Sequence, residues 1–345
     1  MKKINTKIVM DSYPSGKPSE KNFRLEEEEI PKLKNNEFLI ESSYLSVDPF
    51  LRMLMNPSDK SNELSRDEGA ITDIGKVMAG GNLGKIIDSK NKDYPEGSIV
   101  EGILGWQSYP VSNGWVNKRH NPAGVVICDS SLEVPMSSFA SILGRAGLTA
   151  YFCMVKELQP KKNETVVISA AAGAGGSIAG QIAKQSGSYV VGICGSDKKV
   201  EFITKELGFD VGINYKKKNS NIFDELKKVC PNGVDVHYDN VGGEIMEAIS
   251  MLHNPGHRYR LVGIISEYNQ VPKDKKFWSW PYEKPMFVVH DYTNEYNEGI
   301  KVLATWLKEG KIKNFEDVII GIENTPRAFI GMLEGDNIGK RLVKI

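Results

Sequence analysis

An apolar run, Val166-Val167-Ile168, leads into Ser169-Ala170-Ala171-Ala172-Gly173-Ala174-Gly175-Gly176-Ser177-Ile178-Ala179-Gly180. A strand entering a glycine turn that opens a helix has a definite chemistry. Glycine is needed where the turn takes positive φ and where backbone must approach a pyrophosphate without a Cβ in between. The helix start offers free N–H groups and the positive end of its dipole to phosphate. Gly180 lets the helix pack close to the sheet. The spacing is A-x-x-G-x-x-G, so the usual G-x-G-x-x-G is not met, and glycine used only for packing is the plain alternative. At the first βα turn of an alternating α/β run, the string reads as a dinucleotide site.

The identity of the dinucleotide follows from the end of the next strand. An NAD site places Asp or Glu about 20 residues on, against the ribose 2′-hydroxyl. Here that strand ends Ile193-Cys194-Gly195-Ser196, and its small residues leave room for a 2′-phosphate. Lys199 lies just beyond, and Lys216, Lys217 and Lys218 follow Tyr215. Asp197 is expected to cap a helix. NADP is therefore favoured over NAD.

Hydride chemistry with zinc would need a thiolate and a histidine from the first part of the chain. Residues 1–127 hold one histidine, His120, and no cysteine. No metal is expected, and His237, His253, His257 and His290 read as core or surface residues. Without metal, reduction of a carbon–carbon double bond conjugated to a carbonyl needs a donor for the developing enolate oxygen. Tyr268, in Ser266-Glu267-Tyr268 after the fifth strand, is the candidate, a packing role being the alternative.

The elements that must hold these residues divide the chain in two. Residues 1 to about 130 show short apolar pieces between turn clusters such as Gly80-Gly81-Asn82, which predicts a compact β domain of the distorted-barrel kind. Helical spacing begins at Ala140–Glu157. Strands are then predicted at Val166–Ser169, Tyr189–Ile193, Val211–Asn214, Val234–Tyr238 and Tyr259–Gly263, with helices over 176–186, 198–206, 221–229 and 244–252. That alternation means parallel strands covered by helices on both faces. A late strand at Met286–His290, a helix at Glu295–Glu309, and strands at Val318–Ile320 and Arg341–Val343 follow. The last two are expected to rejoin the first domain. The acidic run Glu26–Glu29 reads as a solvated turn.

Composition agrees with a small-molecule enzyme. The 345 residues include 44 basic and 44 acidic side chains, so the electrostatic footprint of a nucleic-acid or polybasic membrane binder is missing. Cys128, Cys153, Cys194 and Cys230 form no C-x-x-C, which points to reduced thiols in a cytoplasmic setting. Neither end carries a targeting pattern, and Asn163-Glu164-Thr165 reads as a chance match to a glycosylation site.

Several strings together resemble the zinc-independent medium-chain dehydrogenases/reductases: Tyr44-Leu45-Ser46-Val47-Asp48-Pro49, Val190–Gly195, Glu206–Asp210, Ile213–Lys217, Asp239-Asn240-Val241-Gly242-Gly243 and Asn337-Ile338-Gly339-Lys340. Within that group the chain is similar to the prostaglandin reductases, in particular the 15-oxoprostaglandin 13-reductase (type 2) group, and to the NADP-dependent alkenal double-bond reductases. The resemblance implies an α/β fold, with a GroES-like β-barrel domain (1–130, completed by 305–345) and a Rossmann doubly wound parallel-sheet domain (131–304). It also implies NADPH-dependent reduction of α,β-unsaturated ketones and aldehydes, an apolar enone or enal substrate, and a homodimer. By position, the family's pyrophosphate contacts fall on Gly173, Ala174, Gly175 and Gly176, and its 2′-phosphate contacts on Lys199 and Tyr215. Its remaining cofactor contacts fall on Asn240, Val262, Gly263, Ile264, Ile265, Ser266, Glu267, Tyr268, Phe287, Val288, Val289 and Asn337. Tyr268 matches the tyrosine that organises the nicotinamide ribose and the substrate carbonyl.

This chain departs from the pattern at three places. Phe50 stands where a tyrosine is common, and Arg145 brings a charge near the expected cleft. The segment Lys275-Lys276-Phe277-Trp278-Ser279-Trp280-Pro281-Tyr282 replaces a proline-rich stretch. That segment reads as a lid over an apolar, carboxylate-bearing substrate, or else as a packed surface loop. Phe50, Arg52, Trp106 and Trp278 are the substrate-pocket candidates. A quinone reductase, or an NADPH-binding protein with little catalysis, remain the other readings.

Overall fold

The computed structural model describes residues 3–56, 72–114, 124–218, 221–269 and 286–345. Strands β1 (Ile4–Met10) and β2 (Phe23–Glu29) form an antiparallel ribbon in which Ile4 faces Glu29. The acidic run is thus strand, not turn. Most of its side chains point to solvent, and Lys7 on β1 meets Glu28 at 2.5 Å, so pairing costs the carboxylates little hydration. Strands β3 (Phe38–Ser46), β4 (Gly81–Ser89), β5 (Ile99–Ile103), β6 (Val111–Ser112) and β7 (Val126–Ile127) form the antiparallel heart of a larger sheet.

The expected helix over 140–157 is interrupted. A 3-10 turn, Met136–Ala140, precedes α1 (Arg145–Phe152), and a π turn, Cys153–Leu158, ends it. Gly144 is extended, and a Cβ on Gly147 would stand 1.7 Å from the Ile142 carbonyl, so the chain folds back on itself there rather than running on as helix.

From β8 (Thr165–Ile168) the chain alternates: α2 (Ala174–Gln185), β9 (Tyr189–Cys194), α3 (Asp197–Lys205), β10 (Val211–Asn214), α4 (Ile222–Val229), β11 (Val234–Asp239), α5 (Gly243–Ser250) and β12 (His253–Leu261). The five strands are parallel, in the order β10-β9-β8-β11-β12. β8 is buried at every residue and β9 at all but Tyr189, as a sheet covered on both faces demands. The carboxyl ends of β8 and β11, neighbours with opposite outward windings, therefore open onto one crevice.

α6 (Tyr296–Lys308), β13 (Glu316–Ile320), α7 (Thr325–Glu334) and β14 (Lys340–Lys344) complete the chain. β14 runs antiparallel to β3, with Leu342 opposite Ser46, and parallel to β13. The larger sheet is therefore ordered β13-β14-β3-β4-β5-β7 and uses both halves of the sequence. The predicted strand at Met286–His290 is absent: Phe287 N–H bonds the Leu261 carbonyl at 2.7 Å, and a 3-10 turn, Val289–Glu295, follows. At Gly180 the missing side chain makes room for the Phe209 ring, whose other edge meets Gly192 of β9. No described helix is long and apolar enough to cross a membrane.

Candidate cofactor and substrate cleft

A cleft of about 550 Å³ lies where the five-stranded sheet meets the larger one. Its floor is the turn between β8 and α2. Ala170, in the place of the first glycine of the usual motif, takes φ +46°, a left-handed conformation that glycine would adopt without cost. Gly176 cannot be replaced, since its Cβ would stand 2.4 Å from the Ala170 carbonyl. The first helical bond of α2 runs from Ser177 N–H to the Gly173 carbonyl (3.0 Å), leaving the N–H groups of Ala174, Gly175 and Gly176 without helical acceptors. A turn free of side chains, with N–H groups left over, is a cradle that fits a pyrophosphate.

One end of the cleft is basic. Lys199, Tyr215, Lys216 and Arg341 line it, with Lys216 Nζ 5.7 Å from the Tyr215 ring centre. Lys199 donates to the Gly335 carbonyl (2.8 Å); burial lowers its ammonium's pKa, as do Lys216 and Arg341, against the pull of Cys194 and Asp336. Asp197 is not the helix cap. Ser196 takes that place, accepting from Lys199 N–H, while Asp197 accepts from the Asn214 amide at 2.9 Å. The acid is thereby occupied, and Ile193, Cys194 and Gly195 face the cleft without a carboxylate.

The loop after β11 is built on a buried carboxylate. Asp239 accepts from the Ser169 hydroxyl (2.6 Å), from Val241 N–H (2.9 Å) and Gly242 N–H (3.2 Å), and from the Tyr259 hydroxyl (3.3 Å). Ser169 in turn receives Asn240 N–H at 2.8 Å, and its carbonyl takes the Asn240 amide at 3.0 Å. The Asn240 side chain is thus pinned at the cleft wall between β8 and β11.

Tyr268 also faces the cleft and is buried, 6% exposed. Its hydroxyl accepts from Ile264 N–H at 3.4 Å and donates to no described residue. Burial pushes the phenol up to about 12 against that backbone bond, so it keeps its proton at neutral pH. Val262, Gly263, Ile265, Ser266 and Asn337 share the cleft wall, and Asn337 is fixed by its bond to the Gly339 carbonyl (2.8 Å). Ile264 and Glu267 are not on that wall: Ile264 packs in a small core with Leu261 and Tyr268, and Glu267 bears on Gly242. Phe287 and Val289 are buried in the main core and Val288 is exposed, so none of the three lines the cleft.

Of the substrate candidates, Phe50 lines the cleft. Arg52 does not: it is fully buried, its guanidinium bonding the Gly16 carbonyl at 2.7 Å and Asn56 Oδ1 at 2.8 Å. Trp106 is a core residue too, packed on Phe23 and Phe329 with its indole N–H on the Ser46 carbonyl. Trp278, with the 275–282 segment, and His120 lie outside the described residues. Arg145 reaches the cleft beside Asp48 and Lys340. Burial raises the Asp48 carboxyl, but Lys340 at 2.6 Å, the Ser46 hydroxyl and Arg145 outweigh it and hold it below its ordinary value. The Asp48–Lys340 pair and Tyr238 are wall residues that sequence reasoning missed. Asp48 and Lys340 lie within strings it had singled out, Tyr44–Pro49 and Asn337–Lys340, without a role given to either, and Tyr238 directly precedes Asp239-Asn240. Among the described residues no three His, Cys, Asp or Glu side chains converge as metal ligands.

Comparisons place this arrangement in a family. Residues 6–118 match the N-terminal domain of oxidoreductases and residues 175–303 the family described as zinc-binding dehydrogenase. The chain is 39% identical to YfmJ of Bacillus subtilis (strain 168), provisionally named an NADP-dependent oxidoreductase, over 98% of this chain and 97% of that one. It is 37% identical to prostaglandin reductase 1 of Mus musculus, over 97% and 98%. Among solved structures, CurA of Vibrio vulnificus in complex with NADPH superposes with a TM-score of 0.85 at 34% identity, covering 98% of each chain. The fold is thus a GroES-like domain joined to a Rossmann domain, and the chain belongs to the zinc-independent medium-chain dehydrogenases/reductases, the group that includes the prostaglandin reductases.

Proposed function

We propose that the protein reduces the carbon–carbon double bond of α,β-unsaturated ketones and aldehydes with NADPH. One observation carries the reading: the free N–H groups of the glycine turn, a basic pocket end and the protonated Tyr268 phenol all face one cleft. The names of the relatives support it. In this reading Gly173–Gly176 hold the pyrophosphate, Lys199, Tyr215 and Lys216 the 2′-phosphate, and Asn240, Val262, Gly263, Ile265, Ser266 and Asn337 the ribose and nicotinamide. The bound cofactor supplies a hydride to the β carbon. The chain's own work is to receive the charge that then develops on the substrate oxygen. Tyr268 Oη, already anchored by Ile264 N–H, has its proton free to donate there, and the donor is set in place before reaction. A proton from solvent completes the α carbon. Phe50 and the apolar wall exclude water from the enone. The four cysteines, all buried and unpaired, suit a reducing cytoplasm.

The test follows loss of NADPH absorbance with enones, enals, a 15-oxoprostaglandin and quinones, with NADH in parallel. Enone turnover with NADPH, weak with NADH, is expected. Turnover of quinones alone would make the protein a quinone reductase, and cofactor binding with no turnover would make it a binding protein.

A further inference from the structure

Tyr238 occupies the next-to-last position of β11, and its ring is fully buried against the core under α1 and α2. Its hydroxyl has no hydrogen-bond partner among the described residues. A buried donor left unpaired costs stability, and such groups are rare unless a ligand, ion or water meets them. The hydroxyl lies at the foot of the cleft, beneath the glycine turn. A Cβ on Gly175 would stand 3.0 Å from Tyr238 Oη, 3.8 Å from Asn240 Oδ1 and 3.9 Å from the Ala146 carbonyl. The residue that separates the hydroxyl from the cleft is thus one that has no side chain, and the hydroxyl faces the turn through the space that side chain would fill. Gly175 takes no positive φ, so a left-handed backbone is not the reason for glycine there.

We propose that Tyr238 is an additional cofactor-binding residue, its hydroxyl donating to a pyrophosphate oxygen seated on the turn at Gly175. The chemistry matches in sign: phosphate oxygens only accept, the buried phenol stays protonated and donates, and the neighbouring N–H groups already collect negative charge. The proposal rests on the NADPH reading above. It adds a hydroxyl contact to a pyrophosphate site otherwise made of backbone.

The test is Tyr238→Phe in the full chain, titrated with NADP+ and, separately, with adenosine 2′-monophosphate, which lacks the pyrophosphate. Loss of a charge-assisted bond should weaken NADP+ by about tenfold or more. Affinity for the monophosphate should stay at the wild-type value. The cofactor-free variant should melt no lower than wild type, because phenylalanine keeps the ring and removes the unpaired donor. Unchanged NADP+ affinity, an equal loss for both ligands, or a lower melting temperature would each overturn the proposal. Failure of the wild-type chain to bind NADP+ at all would instead remove the NADPH reading beneath it.

Discussion

Gly180 of α2 offers a prediction whose size can be worked from distances. A methyl added there would stand 1.8, 2.4 and 2.6 Å from three atoms of the Phe209 ring. Carbon atoms in a packed core prefer roughly 3.5–4.0 Å, so the overlap amounts to more than about 1 Å at each contact. The ring cannot swing away, because Phe209 is 3% exposed and its far edge already rests where a Gly192 Cβ would be, 2.8 Å from it. α2 must lift instead. Overpacking costs roughly 1–3 kcal/mol, towards the upper end for an overlap this large, and alanine's better helix propensity returns about 1 kcal/mol. Gly180→Ala should then lose roughly 2 kcal/mol, or about 4–8 °C in melting temperature at the scaling of a 150–250-residue domain. Thermal unfolding of Gly180→Ala, Phe209→Leu and the double variant closes a cycle, and the smaller side chain should return part of the loss in the double variant. Because the lifted helix carries the glycine turn with it, NADP+ should also raise the melting temperature less than in wild type. A single variant that melts with wild type, or costs that merely add, would refute the claim that the glycine exists for the ring.

Other expectations follow from the site. Tyr268→Phe should lower kcat/KM for enones by roughly a hundredfold, the effect of removing one oxyanion donor, while NADP+ affinity stays near wild type; an unaltered rate would move the donor elsewhere. Lys199→Ala should weaken NADP+ by about tenfold and leave NAD+ unchanged in calorimetry. His237, fully buried with Nε2 unpaired among the described residues, is held down to about 3 by burial and then by His257, and His253 shifts the same way. A histidine with its pKa depressed in the folded state binds its proton only on unfolding. Stability should therefore fall as pH drops from about 6.5 towards 3, by about 1.4 kcal/mol per pH unit for His237 alone. Urea midpoints between pH 7 and 4.5 would show it, and a profile equally steep in His237→Asn would place the titration elsewhere.

Much of this could be read from the residues in order, and the exceptions share a cause. Strands β8 to β11 declare themselves through apolar runs bounded by turns, and the glycine string stays legible even with Ala170 in the strained place, because its neighbours supply the context. The break in 140–157 was not legible: Gly144 and Gly147 turn the chain through contacts with Phe139 and Ile142 backbone that only the folded geometry supplies. Phe287-Val288-Val289 has strand composition but makes one bond to Leu261 and stops, since β12 has no further partner there among the described residues. Arg52 and Trp106 carry the chemistry of a pocket, yet the first domain uses them as core, the arginine satisfied by Gly16 and Asn56. Residue type proposes a role, and burial with its partners decides it.

The place of β14 between β13 and β3 bears on how the protein is made. Synthesis runs from the N-terminus, so β3, β4 and β5 leave the ribosome long before the strand that covers the Tyr44–Ser46 end of β3. The nucleotide-binding sheet is finished at Leu261, when residues 38–42 of β3 already have the 108–112 segment beside them but Tyr44–Ser46 are still bare. An uncovered strand edge invites pairing with other chains, so the nascent protein passes through an interval of exposure that the mature one never shows. When β14 arrives, its approach is guided by structure already formed: Gly339 N–H bonds the Ala172 carbonyl at 2.8 Å, in the glycine turn itself. The segment that seals the first domain thus docks on the second, and the order of translation makes the dinucleotide domain the template on which the other is completed.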